Sequence, residues 1–254
     1  MPFDLKRLPA MLALAAVASL TSVLVGCGGS GSSGGTDIRA IDAIPNGGNA
    51  SISLSATPSA PLVTNETFFN ATLYAPTASA TQNLAFTLSQ DPGTIFPTST
   101  DTFANGSYYT ETLFGRADIL NPADPRYPTL VNTLDDRTSP QLNDVRIRVA
   151  NAAPDLGPVD VSIYNSTITP STVIIGTNVP YKTITAETET VAGTYPITVD
   201  LTGTSTTVTG PKTFDLLAGD LYTVYVTEPV VSPTPTYDIQ IVNDSAVSPT
   251  PITN

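Results

Sequence analysis

The feature that most constrains this chain is that it repeats itself in strand-forming text. Arg39-Ala40-Ile41-Asp42-Ala43-Ile44-Pro45-Asn46 resembles Arg148-Val149-Ala150-Asn151-Ala152-Ala153-Pro154-Asp155, 109 residues later. Ser51-Ile52-Ser53-Leu54 then falls on Asp160-Val161-Ser162-Ile163 in the same register. Leu84-Ala85-Phe86-Thr87-Leu88 resembles Tyr195-Pro196-Ile197-Thr198-Val199. Phe103-Ala104-Asn105-Gly106-Ser107-Tyr108-Tyr109-Thr110 resembles Leu216-Leu217-Ala218-Gly219-Asp220-Leu221-Tyr222-Thr223 at an offset of 113, and Asp135-Asp136 and Asn243-Asp244 close the two stretches. The order is kept and the offset drifts as loop insertions would make it drift. Two homologous units of about 100 residues each are the expectation.

The local pattern selects strands. In Val145-Arg146-Ile147-Arg148-Val149 the aliphatic side chains face one way and the two arginines the other, and Val159-Asp160-Val161-Ser162-Ile163 alternates again. Between them Ala153-Pro154-Asp155-Leu156-Gly157-Pro158 carries turn chemistry, which makes a hairpin or a corner between sheets. Further strands are expected over 195–201, 213–217, 221–227 and 237–242, with a tight turn at Ala218-Gly219-Asp220. Only 13% of residues are charged, and the abundance of Thr, Ser, Val, Ile and Pro suits strands and turns rather than helices. The fold class expected is all-β, with two tandem antiparallel β-sandwiches behind an N-terminal signal segment.

The N-terminus reads as an address. Lys6 and Arg7 form a basic start, residues 10–25 an apolar run too short to span a bilayer comfortably, and Leu24-Val25-Gly26-Cys27 ends it. That ending resembles the lipobox of bacterial lipoproteins. The resemblance implies cleavage between Gly26 and Cys27, acylation of the Cys27 thiol and a mature chain that begins there. An ordinary secretory signal with a chance cysteine is the plain alternative. Residues 28–35 are all Gly or Ser, a flexible leash. Gly28, where an Asp would resemble an inner-membrane retention signal, favours the outer membrane. The segments expected are a signal peptide over 1–26, a tether over 27–36, sandwiches over 37–143 and 144–244, and a flexible tail over 245–254.

Composition removes function classes. The net charge is −12, which disfavours nucleic acid and anionic headgroups as partners. Cys27 is the only cysteine, so its acylation leaves no thiol for disulfides or metal. The chain has no His, which removes the commonest general base, the usual partner of a Ser or Cys nucleophile and the commonest zinc ligand. No Gly-x-Ser-x-Gly elbow is present.

The opening at Arg148–Asp155 with Val159-Asp160-Val161, the stretch Val191-Ala192-Gly193-Thr194-Tyr195 and the stretch Leu217-Ala218-Gly219-Asp220-Leu221-Tyr222-Thr223-Val224 together resemble the domain of unknown function 4397, found in bacterial surface and secreted proteins. The resemblance covers residues 145–226 well. It is looser in the first unit, where Asp42 and Asn46 replace expected residues and Gly47-Gly48-Asn49 replaces a proline-bearing turn. Asn151 stands where a His is usual. The resemblance implies a β-sandwich of immunoglobulin-like or transthyretin-like character and carries no established activity, so no catalytic residues transfer.

A few residues are candidates for chemistry. Asp135 and Asp136 are the first candidates for Ca²⁺, although no stretch matches a calcium motif and loop aspartates form turns. Glu187 and Glu189 share one side of a strand, as a carboxylate pair for glycoside hydrolysis or as a solvated face. Tyr108, Tyr109, Tyr222 and Tyr225 offer a sugar-stacking surface or pack within the sheets. Arg146 and Arg148 are in reach of Asp155 or Asp160 as exposed pairs, each contributing about 0.2–1 kcal/mol. Pro-rich loops at 122–128 and 229–235 occupy comparable places and suggest matched recognition edges. The function expected is a lipid-anchored envelope protein with a non-catalytic structural, adhesion or ligand-binding role and no cofactor. Its partners are the membrane through acylated Cys27 and an envelope protein or glycan. The alternatives are a polysaccharide-binding accessory and, behind it, a hydrolase using Asp or Glu.

Overall fold

A computed structural model describes residues 35–54, 61–96, 99–165, 171–230, 234–245 and 251–252. Gly26, Cys27 and most of the leash and tail lie outside the described residues. Ser33–Asn254 packs as one compact unit. Every regular element described is a strand. They are β1 (Gly35–Asp42), β2 (Ala50–Leu54), β3 (Pro61–Glu66), β4 (Ala75–Ala78), β5 (Thr81–Leu88), β6 (Asp91–Phe96), β7 (Thr100–Thr102), β8 (Tyr108–Phe114), β9 (Thr129–Asp135), β10 (Asp144–Ala152), β11 (Val159–Tyr164), β12 (Thr172–Val179), β13 (Thr188–Val191), β14 (Gly193–Leu201), β15 (Thr207–Leu216), β16 (Leu221–Val230), β17 (Thr236–Asn243) and β18 (Pro251–Ile252).

The sheets run β4-β1-β8-β9 and β3-β2-β5-β6 in the first half, with β7 paired to β5, and β13-β10-β16-β17-β18 and β12-β11-β14-β15 in the second. Apart from β7 and β18, the two halves have the same strand order. The registers agree as well: Ile38 pairs with Ala75 as Ile147 pairs with Thr188, and Arg39 lies opposite Thr110 as Arg148 lies opposite Thr223. Pairing is antiparallel throughout except between β1 and β8 and between β10 and β16, which are parallel. The antiparallel sheets expected are present, and these two parallel pairs add to them: the first strand of each half returns beside a strand about 70 residues later in sequence, an arrangement that local alternation does not encode. The 153–158 turn joins β10 and β11 in different sheets, so it is a corner and not a hairpin.

Each half is filled by the aliphatic face that the alternation exposes. Val145, Ile147 and Val149 meet Val159, Val161 and Ile163, with Tyr195, Ile197, Val199, Phe214 and Tyr222 around them. Ile38, Ile52, Leu84, Phe86, Phe96 and Leu113 do the same in the first half, where Phe86 and Phe96 stack at 5.0 Å. Fully burying one such side chain stabilises by about 1.5–3 kcal/mol. The turn before β8 and its equivalent before β16 need a left-handed residue, and both have glycine, Gly106 at φ 73° and Gly219 at φ 86°. In each, the tyrosine two residues into the following strand accepts a backbone N–H across the turn, Ala104 to Tyr109 and Leu217 to Tyr222.

Candidate functional site

The polar faces of β1, β8, β10 and β16 do not meet water. They meet each other, and the seam between the halves is where the ionisable groups collect. On β1, Arg39 donates from Nε to Thr110 on β8 at 2.8 Å and from Nη2 to Asp244 of the other half at 2.5 Å. On β10, Arg148 donates from Nε to Thr223 on β16 at 2.7 Å and from Nη2 to Asp135 of the first half at 2.6 Å. Each threonine then donates to the aspartate of its own half, Thr110 to Asp135 and Thr223 to Asp244, both at 2.6 Å. Arg39 and Arg148 are therefore each held by the threonine of their own half and by the opposite aspartate, as at a two-fold interface. Arg39 is fully buried, and Arg148, Asp135 and Asp244 nearly so. Burial works against the charge on Arg39, but Asp244, Tyr74 and Asp135 outweigh it and hold the guanidinium above its ordinary range; Asp244 and Asp135 do the same for Arg148. Ile41, Ala43, Phe69, Phe114, Ala150, Ala152, Tyr225 and Val242 form an apolar patch beside this ring, with Phe69 edge-on to Tyr225 at 5.1 Å.

This geometry corrects several sequence expectations. Arg148 is not an exposed partner of Asp155 or Asp160, because the face opposite the aliphatic one is covered by the other half. Arg146 pairs with Asp136 and Glu187, both at 2.8 Å. Asp155 instead bridges Arg116 and Arg126 of the first half, while Asp160 accepts from the Asn178 backbone at 2.7 Å and from Thr202. Asp155 also donates its backbone N–H to buried Glu228, whose carboxyl burial pushes up to about 7. Loop 122–128 is tied to the seam at Arg126 and through the Tyr127 carbonyl, which accepts from Lys182 at 2.7 Å. Of the loop expected to match it, 229–235, residues 231–233 lie outside the described residues.

The candidate ligands and catalysts are already engaged. Asp135 uses Oδ1 for Arg148 and Oδ2 for Thr110 and for the Tyr74 hydroxyl at 3.0 Å. Asp136 accepts from the Thr138 backbone and from Arg146, which together hold it at about 2. Among the described residues no group of three or more His, Cys, Asp or Glu is placed to hold a metal ion. Glu189 accepts the Gln141 backbone N–H at 2.7 Å, and burial raises the Glu187 carboxyl above its ordinary range. The four tyrosines form no platform: Tyr109 and Tyr222 fill the two cores, Tyr225 is sealed in the seam, and Tyr108 packs edge-on to Tyr74. Asn151 is buried too, donating to the Gly157 and Val179 carbonyls and accepting from the Ala153 backbone, a turn-closing role that Asp42 matches at Ile44.

Sequence reasoning missed the seam. The signal was present: Arg39, Thr110 and Asp135 recur as Arg148, Thr223 and Asp244 at the offsets of the repeat. A cleft of about 430 Å³ opens at one end of the seam, lined by Leu134, Asp136, Arg146, Glu187 and Glu189 among others.

No curated protein matches the chain. One family model does, over residues 36–162, from β1 through β9 and on into β11. The clearer likeness, expected over 145–226, is not where the match lies: the matched stretch holds the whole first half and only the opening of the second. That stretch is half of the chain, and the chain belongs to the family described as Domain of unknown function (DUF4397).

Proposed function

We propose that this is a lipid-anchored, non-catalytic module of a bacterial cell envelope, built from two copies of the family's sandwich and presented on a Gly/Ser leash. The observation that carries the anchoring is Leu24-Val25-Gly26-Cys27 at the end of a basic-then-apolar leader, with the sole cysteine at the point of processing. The equal strand order of the halves supports the two-copy reading. The non-catalytic part is supported by the carboxylates that suggested chemistry: Asp135, Asp136 and Glu187 are each paired with an arginine. The seam then has a structural purpose. It makes two sandwiches into one stiff body, so that loops are held at fixed distances from one another.

The test is expression of the full chain in a bacterial host, with fractionation and intact mass. The expected product begins at Cys27, carries acyl mass and sediments with membranes, and Cys27→Ser loses both the acyl mass and the membrane association. An unprocessed chain in the cytosol contradicts the proposal. A second reading, glycan binding, is favoured by the cleft at the end of the seam.

A further inference from the structure

The seam is two-fold in its charged centre but not at its ends. Thr72 and Thr185 are equivalent: each hydroxyl accepts a backbone N–H from the first strand of its half, Ala40 and Val149, and donates to the next carbonyl. Two residues on, the equivalent positions carry Tyr74 and Glu187, immediately before β4 and β13. At the first end the Tyr74 ring fills the gap. Its hydroxyl reaches Asp135, Arg39 and Arg137 stand 5.0 and 5.2 Å from its centre, and Tyr108 meets it edge-on at 5.3 Å. At the other end Glu187 turns to Arg146 and no aromatic ring stands at that position; Thr185, Ala186 and Glu187 line the cleft of about 430 Å³.

We infer that this open end is a binding site for one hydroxyl-rich sugar ring, held where the first half places the ring of Tyr74. This rests on the non-catalytic reading above and gives it a ligand class. The volume lies in the range of small-ligand pockets, and a junction between packed units is a usual place for one. The chemistry selects a polyol. Glu187, Glu189 and Asp136 each have acceptor capacity beyond their protein partners, and these ask for donors. Arg146 uses Nη1 for both of its carboxylates, while its Nε and Nη2 have no acceptor among the described residues and are shielded from water. Arg146 lines the cleft, and an oxygen-bearing ligand is what these donors call for. Hydroxyls serve both sides at once. Leu134 lies at the rim with 57% of its surface exposed, an apolar patch for the C–H face of a ring. A metal ion satisfies none of Arg146's needs.

The experiment is saturation-transfer NMR on the full chain with the methyl glycosides of glucose, galactose, mannose and N-acetylglucosamine, and a separate calorimetric titration with calcium chloride. Transfer to at least one glycoside is expected. Glu187→Tyr, which fills the space, and Glu189→Gln, which removes a charged acceptor, each weaken it roughly tenfold or more. Glu189→Gln keeps the wild-type thermal midpoint, so the result stands even where Glu187→Tyr fails to fold. No transfer to any of the glycosides, undiminished transfer to a folded Glu187→Tyr variant, or calcium binding in place of sugar overturns the inference. Methanol released in the same spectra overturns the non-catalytic reading and leaves the site standing.

Discussion

Replacing Arg39 with methionine tests the reciprocal seam where it is most buried. The substitution keeps most of the apolar volume and removes the charge. It deletes the 2.8 Å bond to Thr110 and the 2.5 Å ion pair to Asp244, leaving Oδ1 of an aspartate that is 5% exposed without its main partner. Breaking one partner out of a buried ion pair costs about 3–5 kcal/mol. Asp244 keeps Thr223 at 2.6 Å and a long contact to Arg148 at 3.4 Å, so the loss is expected at the low end, about 3 kcal/mol. The assay is urea unfolding of the full chain at neutral pH, followed by tyrosine fluorescence, since the chain has no Trp and 10 Tyr. The midpoint falls with an unchanged slope. Asp244→Asn alone shows a comparable loss, and the double variant loses less than the sum, by about 1 kcal/mol or more. A loss below about 1 kcal/mol for Arg39→Met, or strict additivity in the double variant, refutes the reasoning.

Other expectations follow from the same geometry. Asp136, 56% exposed in its pair with Arg146, contrasts with Asp135: Asp136→Asn stays within about 0.5 kcal/mol of wild type in the same titration, and a larger loss removes the distinction between seam and rim. Glu111 faces the first sandwich core beside Tyr109 and Leu113, where the second half has Val224. It accepts from Asn132 at 2.5 Å, and burial, with Asp101 and Asp135 adding to it, pushes its carboxyl to about 7. Its folded value is raised, so its contribution is complete below the ordinary carboxyl range and is lost as pH rises through about 7. Wild type therefore loses about 3 kcal/mol more than Glu111→Gln between pH 4 and pH 8.5, and parallel pH profiles of the unfolding midpoint count against it. A Cβ on Gly115, at φ 142°, would stand 2.5 Å from the Pro128 Cα, so Gly115→Ala lowers the thermal midpoint by several degrees; an unchanged midpoint refutes the close approach.

The core was legible because alternation and repetition act locally. Val145, Ile147 and Val149 face inward as their spacing requires, and Gly106 and Gly219 turn where the repeat puts them. The seam was not legible, because a two-residue period states which side chains share a face and not what covers that face. Arg146 and Arg148 share one, yet Arg146 reaches its rim and Arg148 lies under the other half. The parallel pairs β1–β8 and β10–β16 were hidden for a related reason: they join segments about 70 residues apart. The tyrosines divided likewise between core, seam and surface, since an aromatic on a strand fits all three environments.

The halves are fused into one body through their shared face. Differential scanning calorimetry of the full chain tests it most directly. One transition is expected, with equal calorimetric and van't Hoff enthalpies. Two resolved transitions, one for each half, would contradict it.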